Sequence, residues 1–197
     1  KLDIVTVQKF QTTDTDFQAQ ATNALNLKPD LIIISGLAAD GGNLVRQLRE
    51  LGYQGIIVGG NGFNTSNIFA VCQARCNDVL VAQAYSSEHQ NEINKTFRTT
   101  YLNQYKKEPP QFSAQGFTAV QVFVEALKEV DKKNDIAKMP LEQLRTELNK
   151  QLLTGKYDTP LGQISFTPVG DIVQSQFYVA QLKVDADGKN GKFAPLK

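Results

Sequence analysis

The stretch "KPDLIIISGLAADGGNLVRQLRELGYQGIIVGG", Lys28 to Gly60, decides the fold. It opens and closes on continuous apolar runs of strand length, Leu31–Ile34 and Ile56–Val58, the mark of strands covered on both faces. Between them, Leu44, Val45, Leu48 and Leu51 recur at helical spacing, and Gly52 stops the helix. Strand, helix and strand in this order make a parallel pair joined by a right-handed crossover.

The alternation extends in both directions. "KLDIVTVQKF" reads as a further strand over about residues 2–8, followed by a helix with Phe17, Ala21, Ala24 and Leu25 on one face. Thr15 and Gln18 offer a capping box at its start. Downstream, "TSNIFAVCQARCND" is a short helix and "VLVAQAY" a fourth strand, near 79–84. Residues 1–87 thus predict a four-stranded parallel core with helices on each face.

The pattern then changes, which puts a lobe boundary near Ser86 to Glu92. "HQNEINKTFRTTYLNQYKKEPP" predicts a helix ended by Pro109-Pro110, and the next carries Phe117, Val120, Val124 and Leu127 at helical spacing. A third starts at "PLEQLRTELNKQL" with proline in its first turn. "GQISFTPVGD" and "VQSQFYVAQLKVDADGKNGKFAPL" close the chain as two β segments, the second turning at Asn190-Gly191.

Composition excludes several function classes. With 197 residues, 41% hydrophobic, 21% charged and a formal net charge of +1, the overall balance attracts no nucleic acid. No run of about 18 apolar residues is present to span a bilayer. The two cysteines, Cys72 and Cys76, lack the further ligands zinc needs, and the single histidine, His89, sits in a polar run. On spacing alone, a local disulfide and two buried thiols both remain open. The chain begins on a strand pattern without Met or signal peptide, as expected of a processed product or a piece of a longer chain.

The glycine cluster Gly59-Gly60-Asn61-Gly62 after the third strand invites a ligand, but "GGNGFNTSN" fits neither dinucleotide nor phosphate-loop spacing, and no Lys follows. No GxSxG elbow occurs. Asp14, Asp16, Asp30 and Asp40 read as solvated or capping carboxylates rather than an acid–base pair. The geometry of an open parallel sheet puts a ligand beyond the carboxyl ends of its strands, here the small, polar loops at 10–13, 35–40, 59–65 and 85–87. Such loops suit a neutral or zwitterionic small molecule and no cofactor is implied.

The segments "TDFQAQATNALNLKPDLIIISGLAADGGNLVRQLRELGYQGIIVGGNGF", "VLVAQAY", "FRTTYLNQYKKEPPQFSAQGFTAVQVFVEAL" and "GQISFTPVGDIVQSQFYVAQLKV", in this order and spacing, resemble the type I periplasmic binding proteins, most closely the branched-chain amino-acid branch serving ABC importers. The resemblance implies an α/β fold, an open parallel sheet flanked by helices with part of a second lobe, and a ligand held between two lobes. Residues 1–87 would be the second-lobe core, 88–165 a segment belonging to the first lobe, and 166–197 strands returning to the second. The family's first half, with hydroxyls and backbone donors for an α-carboxylate, has no counterpart, which makes this a C-terminal fragment by expectation.

The resemblance also assigns ligand-binding positions: Leu37 and Ala38 after the second strand, Gly60 and Asn61 after the third, and Phe117 on the long helix. Asn61 falls where amino-acid binders often carry an acid that pairs with the ammonium group. Phe117 serves equally well as a core residue. The implied partners are an amino acid, a membrane permease and the missing N-terminal half; the implied site of action is the periplasm or another extracytoplasmic space, which favours a Cys72–Cys76 disulfide. A receptor domain that signals on ligand closure is the alternative of the same fold, and an α/β enzyme with its catalytic residues in the missing half is a third reading.

Overall fold

A computed structural model describes residues 2–196; Lys1 and Lys197, the ends of the expected first and last segments, lie outside. Two compact units divide the chain. One runs through Gln83 and resumes at Tyr178, and the other spans Ala84–Phe177.

In the first unit the strands β1 (Leu31–Ile34), β2 (Ile56–Gly59) and β3 (Leu80–Gln83) lie parallel and adjacent. The apolar runs that predicted them occupy these positions. Two C-terminal strands, β4 (Tyr178–Val184) and β5 (Gly191–Pro195), extend the sheet antiparallel, giving the order β1-β2-β3-β4-β5. The hairpin between them turns over 185–190, where Asp187 accepts the backbone N–H of Lys189 and of Asn190.

Helices α1 (Gln18–Leu25), α2 (Ala38–Glu50) and α3 (Asn67–Cys72) cover one face of this sheet. Phe17 and Ala21, then Leu44, Val45 and Leu48, then Ile68, Phe69 and Cys72 meet Ile34, Ile57, Val81 and Leu182 in one buried cluster. Each of the larger side chains contributes about 1.5–3 kcal/mol by leaving water. The side chain of Gln47 fastens α1 to α2: its Oε1 accepts from Phe17 N at 2.7 Å and its Nε2 donates to Thr15 O at 2.8 Å. This replaces the expected Thr15–Gln18 capping box: the residue before α1 is Phe17, which makes no side-chain cap bond, and Asp16 accepts the Gln18 N–H.

Two expectations are corrected. Residues 2–8 form no strand: Leu2, Ile4, Val5 and Val7 are all exposed, although Phe10 packs edge-on to Phe17 at 5.4 Å. An alternating pattern specifies a strand only where a neighbouring strand takes its hydrogen bonds. The expected cover on both faces is also absent from the described residues. Opposite α1–α3, Ile33 is 64% exposed, Ile56 54% and Val179 44%. The parallel core therefore has three strands rather than four.

The cysteine segment behaves as its tight spacing requires. The Cys72 and Cys76 sulfurs lie at disulfide distance with Cα atoms 5.4 Å apart, inside the usual range. Helix α3 stops at Cys72, and a single 3₁₀ turn, Gln73–Cys76, follows with Gln73 at a left-handed φ of 50°.

The second unit packs α4 (Glu92–Tyr105), α5 (Gln111–Asp131) and α6 (Leu141–Thr154) with a three-stranded antiparallel sheet, β6 (Tyr157–Thr159), β7 (Gly162–Phe166) and β8 (Ile172–Gln174). The three-residue β6 escaped the sequence reading, being too short to carry a period. Its core joins Tyr85, Phe97, Ala114, Val122, Ala126, Tyr157, Leu161 and Ile164. Helix α5 buries Ala114, Thr118, Val122, Ala126 and Val130 along one stripe. Its other stripe, Phe112, Phe117, Val120 and Val124, is exposed. Among the described residues no helix is long and apolar enough to cross a membrane.

Glycines 41 and 59 sandwich the Phe63 ring: a Cβ on Gly41 would stand 2.2 Å from Phe63 Cε1, and one on Gly59 would stand 2.1 Å from its Cδ2. Gly41→Ala and Gly59→Ala are each expected to lower unfolding free energy by about 1–3 kcal/mol through overpacking. Gly116→Ala, on an open stretch of α5 with nothing within 4 Å, is expected to raise it by about 0.5–1 kcal/mol. Urea denaturation of the three variants checks both signs. Thiol titration of denatured, unreduced protein is expected to return no free thiol from Cys72 and Cys76; two free thiols would contradict the bond.

Candidate functional site

The loops after β1 and β2 meet. Gly60 N donates to Ile34 O at 3.0 Å, carrying β2 past the end of β1. Gly62 then lies so close that a Cβ on it would stand 2.2 Å from Gly36 O and 3.1 Å from Leu37 Cδ2. Only glycine permits this backbone-to-backbone approach. The result is a small patch built from Gly36, Leu37, Gly60, Asn61 and Gly62, at the carboxyl ends of two parallel strands.

Two buried polar side chains hold the patch in shape. Asp40 is 2% exposed and its carboxylate accepts the Leu37 N–H at 3.1 and 3.3 Å, fixing the entry to α2. Asn64, equally buried, donates from Nδ2 to Asn61 O at 3.1 Å and to Ala82 O at 2.8 Å. Its Oδ1 accepts from Gln83 Nε2 at 2.9 Å. A single amide thus ties the β2 loop to the end of β3. Phe63, fully buried between the glycines described above, anchors the same turn from below.

Four of the five expected ligand positions fall on or beside this patch. Leu37 is 56% exposed, Asn61 is exposed, and Gly60 is half-buried. Ala38 opens α2 and packs partly against the core. Phe117 belongs to the other unit. There its ring lies 5.0 Å from that of Phe97, lining an apolar groove of about 710 Å³ between α4 and α5 with Ile93, Tyr101, Tyr105 and Ser113.

Asp40, Phe63 and Asn64 were not singled out as site residues by the sequence. Asp40 stood among the capping carboxylates, and Asp14 and Asp16 accept nearby backbone N–H groups, from Gln11 and Gln18. The signal for Asn64 lies 18 residues away at Ala82, beyond any local pattern.

The loop after β3 is organised separately, within the second unit. Tyr85 donates its hydroxyl to Asn94 Oδ1 at 3.0 Å, and Asn94 Nδ2 donates to the carbonyls of Ser86, Ser87 and His89. Burial pushes the Tyr85 hydroxyl well above its ordinary value, with Glu108 adding and Arg98 opposing, so it stays a neutral donor. Among the described residues no group of three or more His, Cys, Asp and Glu is arranged to hold a metal ion. The patch therefore offers backbone dipoles, one exposed amide and apolar surface, a set suited to holding a small molecule in place.

The family model described as periplasmic binding protein matches residues 1–191. The Leu/Ile/Val-binding protein homolog 3 of Brucella melitensis is 22% identical over 165 residues, covering 83% of this chain and 42% of that protein. The crystal structure of a leucine binding protein, LivK, of Thermotoga maritima superposes with a TM-score of 0.78 at 24% identity, over 95% of this chain and 50% of that one. A solute binding protein of an ABC transporter from R. palustris, in complex with benzoate, gives 0.67 at 23% identity over 95% and 49%. The chain spans about half the length of the relatives it matches.

Asn64→Ala is expected to cost about 1–3 kcal/mol, because it strips a buried amide from three partners. Asp40→Ala is expected to cost about 1 kcal/mol through loss of the helix-entry bond. Denaturant unfolding of the two variants checks both magnitudes.

Proposed function

This chain belongs to the periplasmic binding protein family, and we propose that it is part of the solute-binding component of an ABC importer that takes up a neutral or aliphatic amino acid. The complete protein works in the periplasm or another extracytoplasmic space and encloses its ligand between two lobes. It then presents the closed form to a membrane permease. The reaction is binding alone, without covalent chemistry.

The observation that carries this reading is the patch at the ends of β1 and β2. Its exposed groups are backbone, Asn61 and Leu37, and its one carboxylate, Asp40, is committed to Leu37 N. Such a surface recognises a compact ligand by hydrogen bonds and apolar contact, with Leu37 against an aliphatic side chain. The Leu/Ile/Val-binding relative supports the same ligand class. Phe117 and Ala38 are further contacts under this reading. The polypeptide outside these residues supplies the donors for the α-carboxylate.

One observation favours a second ligand. By the resemblance, Asn61 falls where amino-acid binders often carry an acid for the ammonium group, and an amide gives that cation no charge. An aromatic carboxylate, which has no ammonium, suits such a patch equally well, and one similar solved structure holds benzoate.

Isothermal calorimetry on the full-length protein tests both. If an amino acid is bound with its ammonium at Asn61 Oδ1, Asn61→Asp is expected to tighten leucine binding by about 1–2 kcal/mol through a charge-assisted bond. Asn61→Ala is expected to weaken it. If benzoate is the ligand, Asn61→Asp is expected to weaken its binding by like-charge repulsion. Affinities for both compounds that ignore both substitutions would remove Asn61 from the site.

A further inference from the structure

The chain passes between the two units twice, from Gln83 to Ala84 and from Phe177 to Tyr178. On the side of the first unit both passages are held by the sheet. Gln83 and Tyr178 are partners on the last rung of the β3–β4 ladder. The Gln83 side chain also donates from Nε2 to Asn64 Oδ1, and the same Asn64 holds the Asn61 carbonyl of the patch. Beyond that rung the ladder stops, so the backbone groups of Ala84 need other partners.

Two glutamine side chains of the second unit meet that need. Ala84 N donates to Gln111 Oε1 at 2.8 Å, and Ala84 O accepts from Gln174 Nε2 at 2.7 Å. Gln111 opens α5 and is 4% exposed, while Gln174 ends β8. Gln174 reaches further: the same Nε2 donates to Gln176 O at 2.9 Å and to Leu161 O at 3.3 Å. An amide NH2 gives two donors and no charge, which suits a point where several carbonyl oxygens converge. A glutamate there would bring a carboxylate with nothing to donate.

One side chain therefore holds both the residue by which the chain enters the second unit and the segment by which it leaves. Between fixed points there remain the Gln83–Ala84 link on one passage and Phe177, 71% exposed, on the other.

We propose that Gln174, assisted by Gln111, is a positioning residue for ligand binding: it ties the two passages together, so that each unit moves as one body about two short links. The consequence is for affinity. A protein that closes on its ligand gives up the spread of orientations it has when empty, and looser passages make that loss larger. Narrowing the spread beforehand raises affinity without any contact between Gln174 and the ligand. The effect on affinity rests on the binding reading above, whereas the tie between the passages does not.

Pulsed electron resonance on the full-length protein provides the test. Spin labels go on Leu51→Cys and Leu141→Cys, exposed positions in separate units, while Cys72 and Cys76 are fully buried and at disulfide distance. Gln174→Met removes the donors at similar volume. It is expected to widen the distance distribution of the empty protein at least about twofold. Calorimetry is expected to show leucine, or benzoate if that is the ligand, bound about 3–10-fold more weakly. If Gln174→Met does not fold, Gln111→Met, which removes only the bond to Ala84 N, is expected to widen the distribution to a smaller extent. A lower unfolding midpoint with unchanged width would make these bonds structural only and would overturn the proposal. Widening without loss of affinity in a protein that binds either compound would overturn the positioning role. Widening in a protein that binds neither leucine nor benzoate would uphold the tie and sink the functional reading instead.

Discussion

Phe63 packs its ring against the bare backbones of Gly41 on α2 and Gly59 on β2, and the meeting of the loops after β1 and β2 depends on that contact. The ring can enter only because neither neighbour has a side chain. Once there, it pins the turn after β2 to the helix after β1, which brings the two strand ends together. Gly62 completes the approach by lying against the Gly36 carbonyl. Asp40 and Asn64 then spend their polar groups on backbone that this approach would otherwise leave unsatisfied. The patch is therefore a by-product of close packing, its backbone held by these contacts with no ligand present. A preformed surface loses less entropy on binding than one that must be ordered by its ligand.

Much of this was legible beforehand, for identifiable reasons. The runs at Leu31–Ile34 and Ile56–Val58 are apolar at every position, and helix α2 between them repeats at 3.6 residues, so strand–helix–strand was the only consistent reading. The glycine cluster marked the loop. The role of Phe63 did not show, because an aromatic residue in a turn gives no local sign of which glycines it will face. Asn64 was hidden for a similar reason, its partners Ala82 and Gln83 being distant in sequence. Residues 2–8 misled because alternation records a face to be buried, while a strand also needs a neighbour. Continuous apolar runs likewise record that both faces want cover, and β1 and β2 are covered on only one.

The second unit shows the same mismatch between pattern and partner. Helix α5 is apolar on two stripes, one buried against its own unit and one exposed. A helix apolar all round is built for burial on both sides. With the bare sheet face at Ile33, Ile56 and Val179, it leaves apolar surface uncovered among the described residues.

The central claim is that the Gly36–Leu37 and Gly60–Gly62 loops hold a small molecule through backbone and amide groups without changing it. The most direct measurement is an amide NMR titration of the isotope-labelled full-length protein with leucine, followed by recovery of the ligand. The account predicts saturable shifts concentrated at Gly36, Leu37, Gly60, Asn61 and Gly62, with leucine recovered intact. Shifts that leave these amides unmoved while others respond, or conversion of the leucine to a product, would contradict it.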